Sequence, residues 1–193
     1  MSSTVETLLE KLNASKKLSS VLESRGTDLD GDKVISLDLS QLNLKNLPSG
    51  VFDGLSDLKK LNLAQNKLTS VDPKTFSSLS NLTFLSLFAN QLSELPETFL
   101  PTFPNLEWLD LRENGLSKIP KSVLELKKLN YLYMQNNHGL TSDEFDFSED
   151  YHTKRDIGKF VEAFQKSIGI TPEEAPAKKT TKKAPAKTEE KTD

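Results

Sequence analysis

Residues 58–68 read LKKLNLAQNKL, and the same spacing returns as LTFLSLFANQL at 82–92 and LEWLDLRENGL at 106–116. In each stretch leucine occupies positions one, four, six and eleven and asparagine occupies position nine, as in Leu58, Leu61, Leu63, Leu68 and Asn66. Side chains two apart on an extended chain point the same way, so Leu61 and Leu63 share a buried face while Asn62 points outward. One such stretch cannot bury its leucines alone. Copies laid side by side bury each other's leucines and form a parallel sheet.

Working outward from these three copies, two more units complete the series. The starts fall at Val34, Leu58, Leu82, Leu106 and Leu129, in steps of 24, 24, 24 and 23 residues. The first unit has Leu42 where asparagine is expected, and the fifth slips after Asn137, placing Leu140 one residue late. The second halves also agree, through Leu47-Pro48, Leu95-Pro96 and Ile119-Pro120 at one offset and Phe52 and Phe76 at another. The chain resembles the leucine-rich repeat family over residues 34–140, in the 24-residue form with a phenylalanine in the latter half of each unit. That resemblance implies an α/β fold, a solenoid whose parallel sheet lines a concave face. It further implies that Asn66, Asn90, Asn114 and Asn137 bond the backbone of the turn after each strand, with less regular units at the two ends.

A solenoid exposes apolar surface at both ends and needs covers there. Ser3 and Glu6 read as a capping box, and Val5, Leu8, Leu9 and Leu12 recur at helical spacing, with Leu18, Val21 and Leu22 continuing the apolar face. Asp28 to Val34 reads as a turn into the first strand. Asp28, Asp30 and Asp32 imitate the start of a calcium loop, but Lys33 and Leu39 stand where glycine and glutamate would be required. At the other end Ile157, Phe160, Val161, Phe164 and Ile168 form an amphipathic stripe after Thr153 and Asp156 and before Gly169, read as a second cap helped by Phe145 and Phe147. From Thr171 the chain turns to Pro, Ala, Lys, Thr and Glu, a composition that cannot offset its ordering entropy and reads as disordered. The expected organisation is therefore a helical cap and turn at 1–33, five repeats at 34–148, a capping helix at 149–170 and a tail at 171–193.

Composition narrows the chemistry. The 193 residues carry a net charge of −3 and no cysteine, so thiol catalysis, disulfides and cysteine zinc sites are excluded. The two histidines, His138 and His152, lack metal-ligand spacing, and no nucleophile elbow or phosphate-cradling loop appears, so neither catalysis, cofactor nor metal is expected. The first ten residues lack a secretory pattern and no apolar stretch reaches membrane length, so an intracellular, cytoplasmic chain without membrane contact is expected. The Asn-x-Thr pattern at Asn81 carries little weight in that setting. Lys178–Lys187 holds five lysines, yet the whole tail sets six lysines against five acids, too balanced to expect phosphate binding.

The strand geometry then names the outward positions: the third, fifth, seventh and eighth of each unit. Read along the repeats, the third positions are Ser36, Lys60, Phe84, Trp108 and Tyr131, so the aromatics gather in repeats three to five. Adding the other outward positions gives a candidate partner-binding set of Phe84, Phe88, Trp108, Asp110, Arg112, Glu113, Tyr131 and Tyr133. A contiguous aromatic row of this kind exceeds what monomers ordinarily leave bare, and aromatics with arginine are the usual composition of binding hot spots. The expected function is a protein-interaction module or adaptor taking a protein or peptide, with no small-molecule substrate. Two alternatives stay open: a homodimer joined through the same face, and an accessory subunit tethering an acidic partner or nucleic acid by its tail.

Overall fold

A computed structural model of the chain describes residues 27–31, 33–140 and 154–168, together with Leu8 and Lys11. The strands are β1 (Asp28–Asp30), β2 (Lys33–Asp38), β3 (Lys60–Asn62), β4 (Phe84–Ser86), β5 (Trp108–Asp110) and β6 (Tyr131–Tyr133), joined in that order into one sheet. From β2 onward every pair is parallel, and the register equals the repeat: Leu37, Leu61, Leu85, Leu109 and Leu132 lie side by side. These central leucines are buried, and Leu39, Leu63, Leu87, Leu111 and Met134 continue the same inward face. The sequence expectation of a turn at Asp28–Val34 is corrected here. Asp28–Asp30 pairs antiparallel with β2, and Gly31, at φ +60°, turns the hairpin in the left-handed region that glycine tolerates. Asp32 lies outside the described residues.

The repeating asparagine bonds in two directions at once. Asn90 Oδ1 accepts from the Leu68 N–H at 3.0 Å, and its Nδ2 donates to the carbonyls of Leu63 and Leu87, each at 3.0 Å. Asn66, Asn114 and Asn137 repeat the arrangement, so each asparagine ties its own strand exit to the returning backbone of the preceding repeat. This explains the exception at Leu42. The first repeat has no earlier repeat to tie, so its ninth position has no backbone to satisfy, and Leu42 packs against the core instead. The eighth residue of every unit takes the left-handed conformation, with Gln41, Gln65, Ala89, Glu113 and Asn136 at φ between +51° and +60°. None of these is glycine, so each turn costs on the order of 1–2 kcal/mol, offset in repeats two to five by the bonds of the asparagine that follows.

On the far side of the core the chain returns through short 3₁₀ turns at Pro73–Phe76, Leu100–Thr102 and Lys121–Glu125. Asp72 caps the first by accepting from the Lys74 N–H, and Glu97 reaches across from the preceding repeat to accept from the Lys121 and Ser122 N–H groups. The aromatic rings beneath form a continuous stack. Phe76 lies 5.3 Å from Phe52, 5.2 Å from Phe99 and 5.8 Å from Phe103 between ring centroids.

At the ends, Leu8 is helical and joins the core, and Lys11 Nζ donates to the Gly50 carbonyl at 2.6 Å. The expected capping box at Ser3 and Glu6, and the apolar residues Val5, Leu9, Leu12, Leu18, Val21 and Leu22, lie outside the described residues, as do Phe145, Phe147, Thr153, Gly169 and the tail from Thr171. Beyond the last strand, helix α1 (Lys154–Ser167) buries Ile157, Phe160 and Phe164, which sit on one face at spacings of three and four. Ile157 and Phe160 line a shared groove with Val123, Leu126 and Leu129, so this face packs on the returning segment that leads into the fifth repeat.

Candidate protein-interaction face

The exact register of β4, β5 and β6 sets Phe84 beside Trp108 and Trp108 beside Tyr131 on the outward face of the sheet. Neighbouring strands lie about 4.8 Å apart, close enough for rings at matching positions to stack. The Phe84 and Trp108 rings stack at 5.6 Å with an interplanar angle of 29°. Trp108 lies 4.7 Å from Tyr131 and 4.9 Å from Tyr133, at 37° to each, so one indole touches three rings. Each such pair contributes about 0.5–1.5 kcal/mol beyond the area it buries.

Arg112 closes the cluster from the side. Its Nε and Nη2 donate to the two carboxylate oxygens of Asp110 at 3.0 and 2.6 Å, a forked pair with fixed orientation. So held, the guanidinium carbon lies 4.8 Å from the Tyr133 ring centre and 5.4 Å from that of Phe88. Both distances are within the range of cation–π attraction.

The expected set therefore divides. Phe84, Phe88, Trp108 and Arg112 are half-buried, Glu113 is exposed, and Tyr131 is 37% exposed at the last strand. Asp110 and Tyr133 depart from the expectation of bare outward residues: they are only 5% and 6% exposed. Both point to the expected side, but Arg112 lies over Tyr133 and grips Asp110, so they form the floor of the face and not its surface. Trp108 is covered in part for the same reason, its ring faces being occupied by its neighbours.

Asp110 has a second partner that the sequence could have disclosed. Its Oδ1 accepts from the Arg112 backbone N–H at 3.1 Å, as Asp38 does from Ser40, Asn62 from Ala64 and Ser86 from Phe88. Position five is thus a short polar residue that bonds the backbone two residues on, a turn these residue types favour. The succession Asp38, Asn62, Ser86, Asp110 was the available signal. Tyr133 breaks it in the fifth repeat and fills the site with a ring.

A second surface, unmarked by the sequence reading, runs along the edge where the chain enters the strands. Lys33, Asp57, Lys59, Asn105, Glu107 and Lys128 line an open polar trough there. Lys33 pairs with Asp57 at 3.2 Å and Lys128 donates to Asn105 at 2.6 Å, so much of its charge is matched internally. Among the described residues no group of three or more His, Asp or Glu side chains is placed to hold a metal ion, and no helix is long and apolar enough to cross a membrane.

Comparison with known proteins places these repeats in context. A family model described as leucine rich repeat matches residues 33–92 and 89–138. Among solved structures, the crystal structure of the leucine-rich repeat domain of APL1B is similar at 25% sequence identity and a TM-score of 0.49, over 61% of this chain and 34% of that one. The chain therefore matches about a third of that longer chain's length. No curated protein matches the sequence.

Proposed function

The chain belongs to the leucine-rich repeat family, and we propose that it is a non-enzymatic interaction module or adaptor that binds a protein or peptide through the aromatic face of repeats three to five. Domains of this family generally mediate protein–protein interaction. The observation that carries the choice of face is the unbroken ring contact from Phe84 through Trp108 to Tyr131 across three adjacent strands. The outward side of a strand needs no large apolar group to form a core, since the alternate leucines already supply it. Rings at these positions add apolar surface where water would otherwise be.

In this reading Phe84, Phe88, Trp108 and Tyr131 contact the partner, with Glu113 at the rim. Asp110, Arg112 and Tyr133 hold the rings in place, a role supported by their burial and by the forked pair. The Leu8 segment and α1 act as the two caps of the 34–148 solenoid, within a cytoplasmic protein that takes neither cofactor nor metal.

The test is affinity capture from the native extract with wild type against a Phe84→Ser, Tyr131→Ser double variant. Tyr133 is left intact because it is buried and its removal would take one ring contact each from Arg112 and Trp108 and disturb the face from beneath. We expect the partner to be lost, as truncating central aromatic contacts typically costs about 2 kcal/mol or more each, while circular dichroism stays that of wild type. Identical capture by both proteins would remove this face from consideration. Light scattering on the same pair identifies self-association, which would show as a dimer in wild type alone.

A further inference from the structure

The sequence contains one Asn-Gly dipeptide, Asn114–Gly115, and it falls on one of the asparagine ties of the solenoid. Nothing in the fold calls for glycine there. The tenth position of the other repeats holds Asn43, Lys67, Gln91 and His138. Gly115 lies outside the left-handed region, and a Cβ on it would meet only the Leu92 carbonyl oxygen at 3.5 Å, an ordinary contact. Gly139 shows what a required glycine looks like: a Cβ there would come within 2.7 Å of the Leu116 carbonyl oxygen and of Ser117 Cα, both backbone atoms.

Asparagine is a thermolabile residue, and a following glycine leaves its backbone amide nitrogen least hindered and most mobile. The Gly115 nitrogen can attack Cγ of Asn114, losing its proton to solvent. The bond from Cγ to Nδ2 breaks and ammonia leaves, giving a five-membered succinimide. Water then opens that ring at either carbonyl, to aspartate or to its β-linked isomer. The net change exchanges an amide and water for a carboxylic acid and ammonia, with no oxidant or reductant.

The folded chain holds both reacting groups away from this path. The Gly115 N–H donates to the Leu92 carbonyl at 2.8 Å. Asn114 Oδ1 accepts from the Leu92 N–H at 3.1 Å, and its Nδ2 donates to the carbonyls of Leu87, Leu111 and Arg112 at 2.9, 3.1 and 3.2 Å. Those contacts also decide the fate of the product. A carboxylate at Asn114 would keep the Leu92 N–H for one oxygen but set the other, in place of Nδ2, against three carbonyl oxygens with no donor between them, an arrangement a buried polar group does not tolerate.

We propose that Asn114–Gly115 is a deamidation site gated by opening of the fourth repeat, so that a chain held open long enough is marked irreversibly and does not close again. The tie lies directly after Arg112 and Glu113, so the lesion falls at the base of the aromatic face without this inference depending on what that face binds.

The experiment incubates the full chain in mildly alkaline buffer, folded and in urea, and follows conversion at Asn114 by peptide mass spectrometry that separates the two isomers. We expect conversion in urea, slower by roughly 100-fold or more in the folded chain, since only the open fraction reacts. Chains converted in urea and returned to buffer should fail to recover the original thermal transition. Gly115→Gln, the residue of the third repeat, should block conversion in urea, an arm that needs no folding. Equal rates with and without urea, recovery of the normal transition by converted chains, or undiminished conversion of Gly115→Gln would each overturn the proposal.

Discussion

Asn90 shows how much one side chain carries in this fold. It satisfies the Leu68 N–H of the preceding repeat, and it bonds the Leu63 and Leu87 carbonyls. Those carbonyls also accept from Asn66 and Asn114 respectively, so the Leu68 N–H is the group left without a partner when Asn90 is removed. Asn90→Ala should therefore cost about 1–3 kcal/mol, the penalty of one buried donor left unmade. Leu42→Asn provides the control. It restores the repeat consensus but gains nothing, because no earlier repeat offers a backbone to bond, and it gives up the packing of Leu42 against the core. Urea titration of both variants separates the outcomes: an Asn90→Ala midpoint equal to wild type, or a stabilised Leu42→Asn, would refute this account. The asparagine spacing was legible in the sequence because every interior repeat obeys the same requirement. The left-handed turn at position eight was not, since Gln41, Gln65, Ala89, Glu113 and Asn136 share no side-chain chemistry and only the backbone is in common.

Among the elements, the strands were readable and the returning segments were not. A strand is locked to its neighbour by a hydrogen-bond ladder, so the offset of Leu61 predicts that of Leu85 and Leu109. The 3₁₀ turns share no ladder, and their register is free to drift. Phe52 and Phe76 keep one offset, but the equivalent of the third repeat is Leu100, and the rings that continue the stack are Phe99 and Phe103 on either side of the turn. β1 was missed for another reason: Asp28 and Asp30 are poor strand formers, and pairing with the free edge of β2 overrides that preference. Because Phe76 touches three other rings, Phe76→Ala should remove about 3–5 kcal/mol. In a double-mutant cycle with Phe99→Ala the two losses should be non-additive by roughly 0.5–3 kcal/mol. Strict additivity, measured by denaturant unfolding, would mean that the stack is only a row of independent side chains.

For the molecule as a whole, stability is a sum over neighbours, and each interior repeat is held from both sides. The fifth repeat has the fourth on one side and α1 on the other, where Ile157, Phe160 and Phe164 join the core with Leu126 and Leu129. Phe160→Ser should therefore loosen the solenoid from that end. The Leu111 and Glu113 amides, which donate to the Tyr133 and Gln135 carbonyls at 2.8 and 3.0 Å, should lose hydrogen-exchange protection first. The Leu63 amide, donating to the Ser86 carbonyl at 2.9 Å two repeats away, should keep most of its protection. A uniform loss across all five repeats would contradict the graded picture and mark the solenoid as one cooperative unit. The same gradient reaches the proposed binding face, because the loosened strand is the one that carries Tyr131 and Tyr133. Without Tyr131 and Tyr133 in place Arg112 loses one of its two ring contacts and Trp108 loses two of its three. Phe160→Ser should then weaken partner capture, although Phe160 is buried on the core side and belongs to no part of that face.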